Sequence, residues 1–129
     1  MKPRADGTTV WKHQLIDNKI SQLHALAWDD LNKDGQSEII TGKRYYAHSG
    51  RDKGAEDEIV IASYQPHLDG DGKVSFKKEV LHTGQAGTGL YIRTADLNEG
   101  GWMEIIVPGK SVTHILWNKG KRPLPKQKK

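Results

Sequence analysis

Apolar residues in this chain fall at alternate positions in short runs, and Gly, Asp and Asn gather between the runs. A period of two sends successive side chains to opposite faces of an extended backbone, so each run predicts a half-buried β-strand. The pattern predicts strands near Thr8–Ile16, Leu23–Trp28, Glu38–Lys43, Glu58–Tyr64, Lys73–Leu81, Leu90–Ala95, Glu104–Pro108 and Thr113–Trp117. No stretch carries a convincing helical period. Asp69-Gly70-Asp71-Gly72 reads as a hairpin turn, because Asp-Gly supplies the positive φ that tight turns require. Ser49 to Asp57 is polar and charged and reads as a surface loop.

The runs repeat. Trp11-Lys12-His13-Gln14-Leu15-Ile16 matches Phe76-Lys77-Lys78-Glu79-Val80-Leu81 in pattern, 65 residues later. Asp30-Leu31-Asn32 matches Asp96-Leu97-Asn98 at an offset of 66, and Gly35 and Glu38-Ile39-Ile40 match Gly101 and Glu104-Ile105-Ile106 at the same offset. Gly42-Lys43 matches Gly109-Lys110 after one inserted residue. A shared offset across a strand, a loop and a second strand marks a modular β fold. The four strands from Leu23 to Leu81 make one four-stranded antiparallel unit. An outer strand of another unit precedes it and most of a third follows, so the expected fold is all-β, with about two propeller blades and an incomplete ring.

Composition narrows the picture. At 129 residues the chain fits one ordinary domain, and 35% hydrophobic content with fourteen glycines favours short strands and turns over packed helices. No apolar run approaches the roughly 18–20 residues that span a bilayer. Residues 1–7 are polar, have no apolar signal-peptide core and are expected to be disordered. With no cysteine there is no disulfide and no thiolate zinc site. Six of the twenty Lys and Arg residues fall in 119–129, so the rest of the chain changes from a formal charge of +4 to −2. Residues 119–129, with Pro123 and Pro125, are expected to be a solvated basic tail, and 8–118 the folded part. The body carries no basic stripe with interleaved aromatics, which argues against a nucleic-acid partner.

The chemistry concentrates in Asp30-Leu31-Asn32-Lys33-Asp34-Gly35-Gln36-Ser37-Glu38. Oxygen donors at alternate positions suit a hard cation, and Ca²⁺ takes six to eight oxygens. Asp30, Asn32 and Asp34 occupy positions one, three and five, Gly35 permits the bend, Gln36 offers its backbone carbonyl, and Glu38 closes the loop at position nine. A strand follows in Ile39-Ile40, so this is a strand–loop–strand calcium loop and not an EF-hand. Three carboxylates give the site a charge of −3, falling to −1 with Ca²⁺ bound. The second copy keeps Asp96, Asn98 and Glu104, and Trp102 could donate its carbonyl. Position five, however, is Gly100, so this loop is expected to keep its turn and hold metal weakly or not at all.

Ala-Asp-Leu-Asn with a glycine and a closing acid before Ile-Ile-Val resembles the FG-GAP/VCBS repeat. So do Ser21-Gln22-Leu23-His24-Ala25-Leu26, Thr41-Gly42-Lys43-Arg44-Tyr45 with Ala47-His48, and Pro108-Gly109-Lys110-Ser111 with His114-Ile115-Leu116-Trp117-Asn118, which are similar to the C-terminal blades of bacterial propellers and to the propeller domain of aldos-2-ulose dehydratase. The resemblance covers about residues 8–120. It implies a seven-bladed ring in a longer protein, periplasmic or secreted, with Ca²⁺ as cofactor and a carbohydrate or protein ligand. Two blades cannot close a ring, so the expected partners are other blades of a longer chain or further copies of this one, joined through unpaired strand edges.

The resemblance also places His24, Arg44 and His48 at recurrent family positions, where with Lys43 they could converge at one mouth of the propeller. Such a group suits binding carboxylates or sugars, or abstracting a proton beside a carbonyl, which makes a sugar lyase or dehydratase the catalytic alternative. The competing reading gives Arg44 to an inter-blade ion pair with Glu56, Asp57 or Glu58. His13, His67 and His82 read as surface residues. Gly84-Gln85-Ala86-Gly87-Thr88-Gly89 looks like a phosphate cradle but leads into a strand, which makes it an inter-blade loop. Trp11, Trp28, Trp102 and Trp117 sit near strand ends and suit blade-to-blade packing better than a sugar platform.

Overall fold

The computed structural model describes residues 11–120. Among these residues seven strands form two antiparallel sheets. β1 (Leu23–Asp29), β2 (Glu38–Lys43), β3 (Val60–Leu68) and β4 (Val74–Thr83) pair in chain order in the first. β5 (Arg93–Ala95), β6 (Glu104–Pro108) and β7 (Thr113–Leu116) pair in chain order in the second. The all-β class and the four-stranded unit agree with the sequence pattern. The described residues form no closed ring. Residues 47–50 make a short turn that runs into the expected surface loop, with His48 and Ser49 in left-handed backbone. The β3–β4 hairpin turns at the Asp-Gly repeat, where the Asp69 carboxylate accepts the Asp71 and Lys73 amides at 3.1 and 2.7 Å.

Three strand expectations are corrected. The described part of Thr8–Ile16, residues 11–16, is not a strand. A strand needs a ladder partner, and this segment touches β4 through a side chain, Gln14 Nε2 donating to the Val74 carbonyl at 2.9 Å. The remainder of that run, with residues 1–7 and the tail beyond Gly120, lies outside the described residues. β5 is shorter than Leu90–Ala95, since residues 90–92 belong to the connection from the first sheet. β3 is longer than predicted, running through Pro66 to Leu68.

The pleat decides what each face buries. Across the first sheet Ala27, Ile40, Ser63 and Glu79 stand in one row, and Ala25, Gly42 and Ile61 in the next but one. That face packs on the second sheet, where the Thr94–Ile105–Leu116 row and Val107 point inward. Ala25, Ile40 and Ile61 meet Ile92, Ile105 and Val107 in a single core. The opposite face of the first sheet carries Trp28–Ile39–Tyr64–Lys78 and Leu26–Thr41–Ala62–Val80. Leu26, Trp28 and Val80 are more than half exposed there.

The connection between sheets is latched to β2. Thr88 donates its hydroxyl to the Gly42 carbonyl at 2.6 Å, and its amide to the Lys43 carbonyl at 3.2 Å. Gly42 makes that approach possible, because a Cβ there would stand 2.5 Å from Thr88 Cγ2.

Candidate metal centre

The two repeat loops fold alike. In the first, Asp30 Oδ2 accepts the Gly35 amide at 2.8 Å, and Glu38 accepts the Leu31 amide at 2.9 Å and Asn32 Nδ2 at 3.2 Å. In the second, Asp96 Oδ2 accepts the Gly101 amide at 2.6 Å, and Glu104 accepts the Leu97 amide at 2.8 Å and Asn98 Nδ2 at 3.1 Å. Lys33 and Glu99 share φ of 57°, and Gly35 and Gly101 have φ of 86° and 78°. The hydrogen bonds and backbone angles of the two loops therefore match at an offset of 66 residues. Each loop joins two neighbouring strands, and each closing glutamate opens the second of them with its side chain buried.

The loops differ where a cation would sit. In the first, oxygens of Asp30, Asp34 and Glu38 all lie within 4.8 Å of one another. Asn32 Oδ1 is buried and has no hydrogen-bond partner. Burial raises the Glu38 pKa above the usual carboxylate value; the Leu31 hydrogen bond opposes this, and the Asp34, Asp30 and Glu79 charges add to it. Asp34 is held by the Gln36 amide at 2.9 Å and by Gln65 Nε2 from β3. Gln65 is a loop partner that the sequence pattern did not single out. Three acids packed together, beside an amide whose oxygen is orphaned, are a donor set that a hard divalent cation would satisfy.

In the second loop Gly100 removes the third acid, and its amide takes Asn98 Oδ1 at 2.7 Å. The oxygen that corresponds to the free one of Asn32 is thus already committed. Lys33 of the first loop lies against the second, with its ammonium 5.0 Å from the Trp102 ring centroid and close beside Gly101. A positive charge there opposes a second cation. One buried oxygen, Asp96 Oδ1, remains without a partner.

Asn118 joins the loops, which the sequence pattern did not reveal. Its Nδ2 donates to the Leu31 carbonyl of the first loop at 2.9 Å and to the Met103 carbonyl of the second at 3.3 Å.

The histidine group sits elsewhere. His24 and His48 meet edge to face with ring centroids 6.2 Å apart, and His48 Nδ1 is 2.5 Å from Asp52 Oδ2. Both histidines are exposed and Arg44 is half-buried. Tyr46, His48 and Ser49 all have φ between 47° and 58°, so this turn holds three non-glycine residues in left-handed backbone. Lys43 is 2% exposed and turns inward to the Arg44 and Ala55 carbonyls, each at 3.4 Å, away from the histidines' solvent-facing side. The imidazoles lie at the start of β1 and the metal loop beyond its end, roughly 20 Å apart at about 3.3 Å per residue.

A cleft of about 730 Å³ opens between the sheets, with Gln65, Glu79 and His82 on one wall and His114, Leu116 and Asn118 on the other. His82 is not the surface residue expected. It is half-buried, and its Nε2, like His114 Nδ1, is buried without a partner.

No protein-family model matches the chain, and neither the curated proteins nor the solved structures contain a match to it.

Proposed function

We propose that this chain is a calcium-binding module of a β-propeller of the FG-GAP/VCBS type, whose bound ion stiffens the blade and whose loops present a surface to a carbohydrate or protein partner. The observation that carries the reading is the convergence of the Asp30, Asp34 and Glu38 carboxylates, with the Asn32 amide bonded to Glu38 and its own Oδ1 buried without a partner. The Gln36 carbonyl would add a fifth donor, leaving water or a bidentate carboxylate to supply the rest. Ca²⁺ supplies the charge that these acids lack and ties the end of β1 to the start of β2. Extracellular calcium modules work at dissociation constants of about 10⁻⁴–10⁻³ M, which suits a partly exposed site in a periplasmic or secreted protein.

Calorimetric titration with Ca²⁺ tests this reading on the wild type and on Asp34→Ala. The expected result is a binding heat for the wild type and none for the variant. Equal, negligible heats for both would overturn it.

The contact between His24 and His48 favours a second reading, in which these imidazoles and Arg44 belong to a sugar lyase or dehydratase. Asp52 would orient His48 as the base. The separation between this pair and the acid loop leaves a cation there no part in such a reaction. Exposure of both rings gives the pair no enclosed pocket, and the binding-module reading is the stronger. Loss of α-proton exchange from a keto sugar in His24→Ala, against measurable exchange in the wild type, would reverse that order.

A further inference from the structure

The packing of the two sheets contains an instruction for a third. Residues 66 apart are equivalent, so the inward row of the second sheet, Ile92, Thr94, Ile105 and Val107, corresponds to Leu26, Trp28, Ile39 and Thr41 of the first. The core therefore joins the Ala27–Ile40 face of one repeat to the Trp28–Ile39-type face of the next. Two faces of the same kinds remain open in one molecule. The first sheet exposes its own Leu26 and Trp28, 64% and 56% accessible. The second exposes the Arg93–Ile106–Ile115 row, which is equivalent to the Ala27–Ile40 face. The open faces are the two halves of the contact already made inside the chain.

A segment outside any sheet and a sheet short of a fourth strand fit the same scheme. Trp11–Ile16 corresponds to Phe76–Leu81 in β4, the fourth strand of its sheet, yet it joins no strand ladder among the described residues. The second sheet ends at β7, whose outer edge is unpaired among the described residues. The inter-sheet cleft lies beside that edge, over the wall that β4 provides, and contains the orphaned nitrogens of His82 and His114. Moreover, the stray segment already lies on the correct face. Leu15 to Lys19 cover Tyr64, Phe76 and Lys78 on the open side of the first sheet, and Asp17 accepts from Tyr64 Oη at 2.6 Å and Lys78 Nζ at 2.8 Å. An outer strand of a preceding repeat would lie on that side. Trp11 and Leu15 are left 89% and 64% exposed.

We infer that copies of this chain assemble head to tail. The open face of one first sheet receives the outer face of a second copy's second sheet, and residues 11–16 enter the second copy's cleft as the fourth strand beside β7. The contact is heterologous, because its two surfaces differ, so it closes into a ring when the rotation per copy allows. Strand addition satisfies the ladder groups of both edges. The inference rests on the repeat and the two open faces, and it holds with or without a cation in the acid loop.

Light scattering on the whole chain tests it, in calcium and again in chelator. Trp28→Lys damages one surface and Ile115→Lys the other, and both side chains are exposed, so folding measured by circular dichroism is expected to be kept. The wild type is expected at a multiple of the 14.4 kDa chain mass in both buffers. Each variant alone is expected to fall to one chain. An equimolar mixture is expected to give a 1:1 dimer, since each variant retains the surface that the other lacks. A chain without residues 1–16 is expected to lose the assembly. A monomeric wild type would overturn the inference. So would an Ile115→Lys variant of wild-type mass, or a mixture that stays monomeric. Calcium binding by a monomer would leave the metal reading standing while this one fails.

Discussion

Replacing Glu38 with Gln should stabilise the protein in chelator and destabilise it in calcium. Glu38 is 3% exposed, and its carboxylate lies within 4.8 Å of two others. Two unit charges about 4 Å apart interact by about 4 kcal/mol at an effective dielectric of about 20, an upper limit at a loop that faces water. Asp34 is exposed, and the carboxylate makes charge-assisted bonds to Leu31 and Asn32 that the amide makes less strongly. A net gain of about 1–2 kcal/mol for the metal-free variant remains. The amide also fits the site once the Asn32 amide turns over: its oxygen keeps the Leu31 amide, and its NH₂ donates to Asn32 Oδ1 in the place Nδ2 now holds. In calcium at about a hundred times the dissociation constant the wild type gains about 2.7 kcal/mol by linkage, and the variant gains far less. Urea unfolding followed by tryptophan fluorescence measures both states. The order of the two midpoints should reverse between chelator and calcium. Equal destabilisation of the variant in both buffers would refute the reasoning, since Glu38 would then be only a structural hydrogen-bond acceptor.

Three other outcomes follow from single contacts. Asn118→Ala should cost about 1–3 kcal/mol in urea unfolding, because two carbonyls lose their donor and the two loops lose their link; a change near zero would show that water replaces it. Gly42→Ala should cost about 1–3 kcal/mol, since the new methyl would meet Thr88 Cγ2 and the Val60 carbonyl at 2.5 and 3.0 Å, and pairing it with Thr88→Ser should recover part of the loss in the same assay. Burial opposes ionisation of Asp17, but the Lys78, Tyr64 and Lys19 hydrogen bonds outweigh it and bring its pKa from 3.8 down to about 2. Its carboxylate therefore stabilises the fold above pH 3.8, by about 1–2 kcal/mol after solvent screening, and that contribution fades as the pH falls towards 2. The stability difference between wild type and Asp17→Asn should follow that fall, and a pH-independent difference would count against the ion pair.

What could be read from the sequence was what repeats or alternates. The offset of 66 located both loops, and Gly100 at the place of Asp34 shows that the second lacks the third acid. Period-two alternation found the strands of the first sheet within a few residues. The segment from Trp11 to Ile16 alternates equally well, yet it forms no strand, because alternation reports which face a residue would take and says nothing about whether a ladder partner exists. Contacts at long separation were hidden for a different reason. Asn118 lies 87 residues from Leu31 and looks like any polar residue after a strand. The burial of Lys43 and the inward turn of His82 depend on the neighbouring chain segments that close over them, which no local pattern encodes.

Equilibrium dialysis against calcium, with the bound ion counted per chain, tests the central claim most directly. The account predicts one calcium per chain in the wild type, one in Asp96→Asn, and none in Asp34→Asn. No bound calcium in the wild type, or a wild-type ion lost in Asp96→Asn and kept in Asp34→Asn, would contradict it.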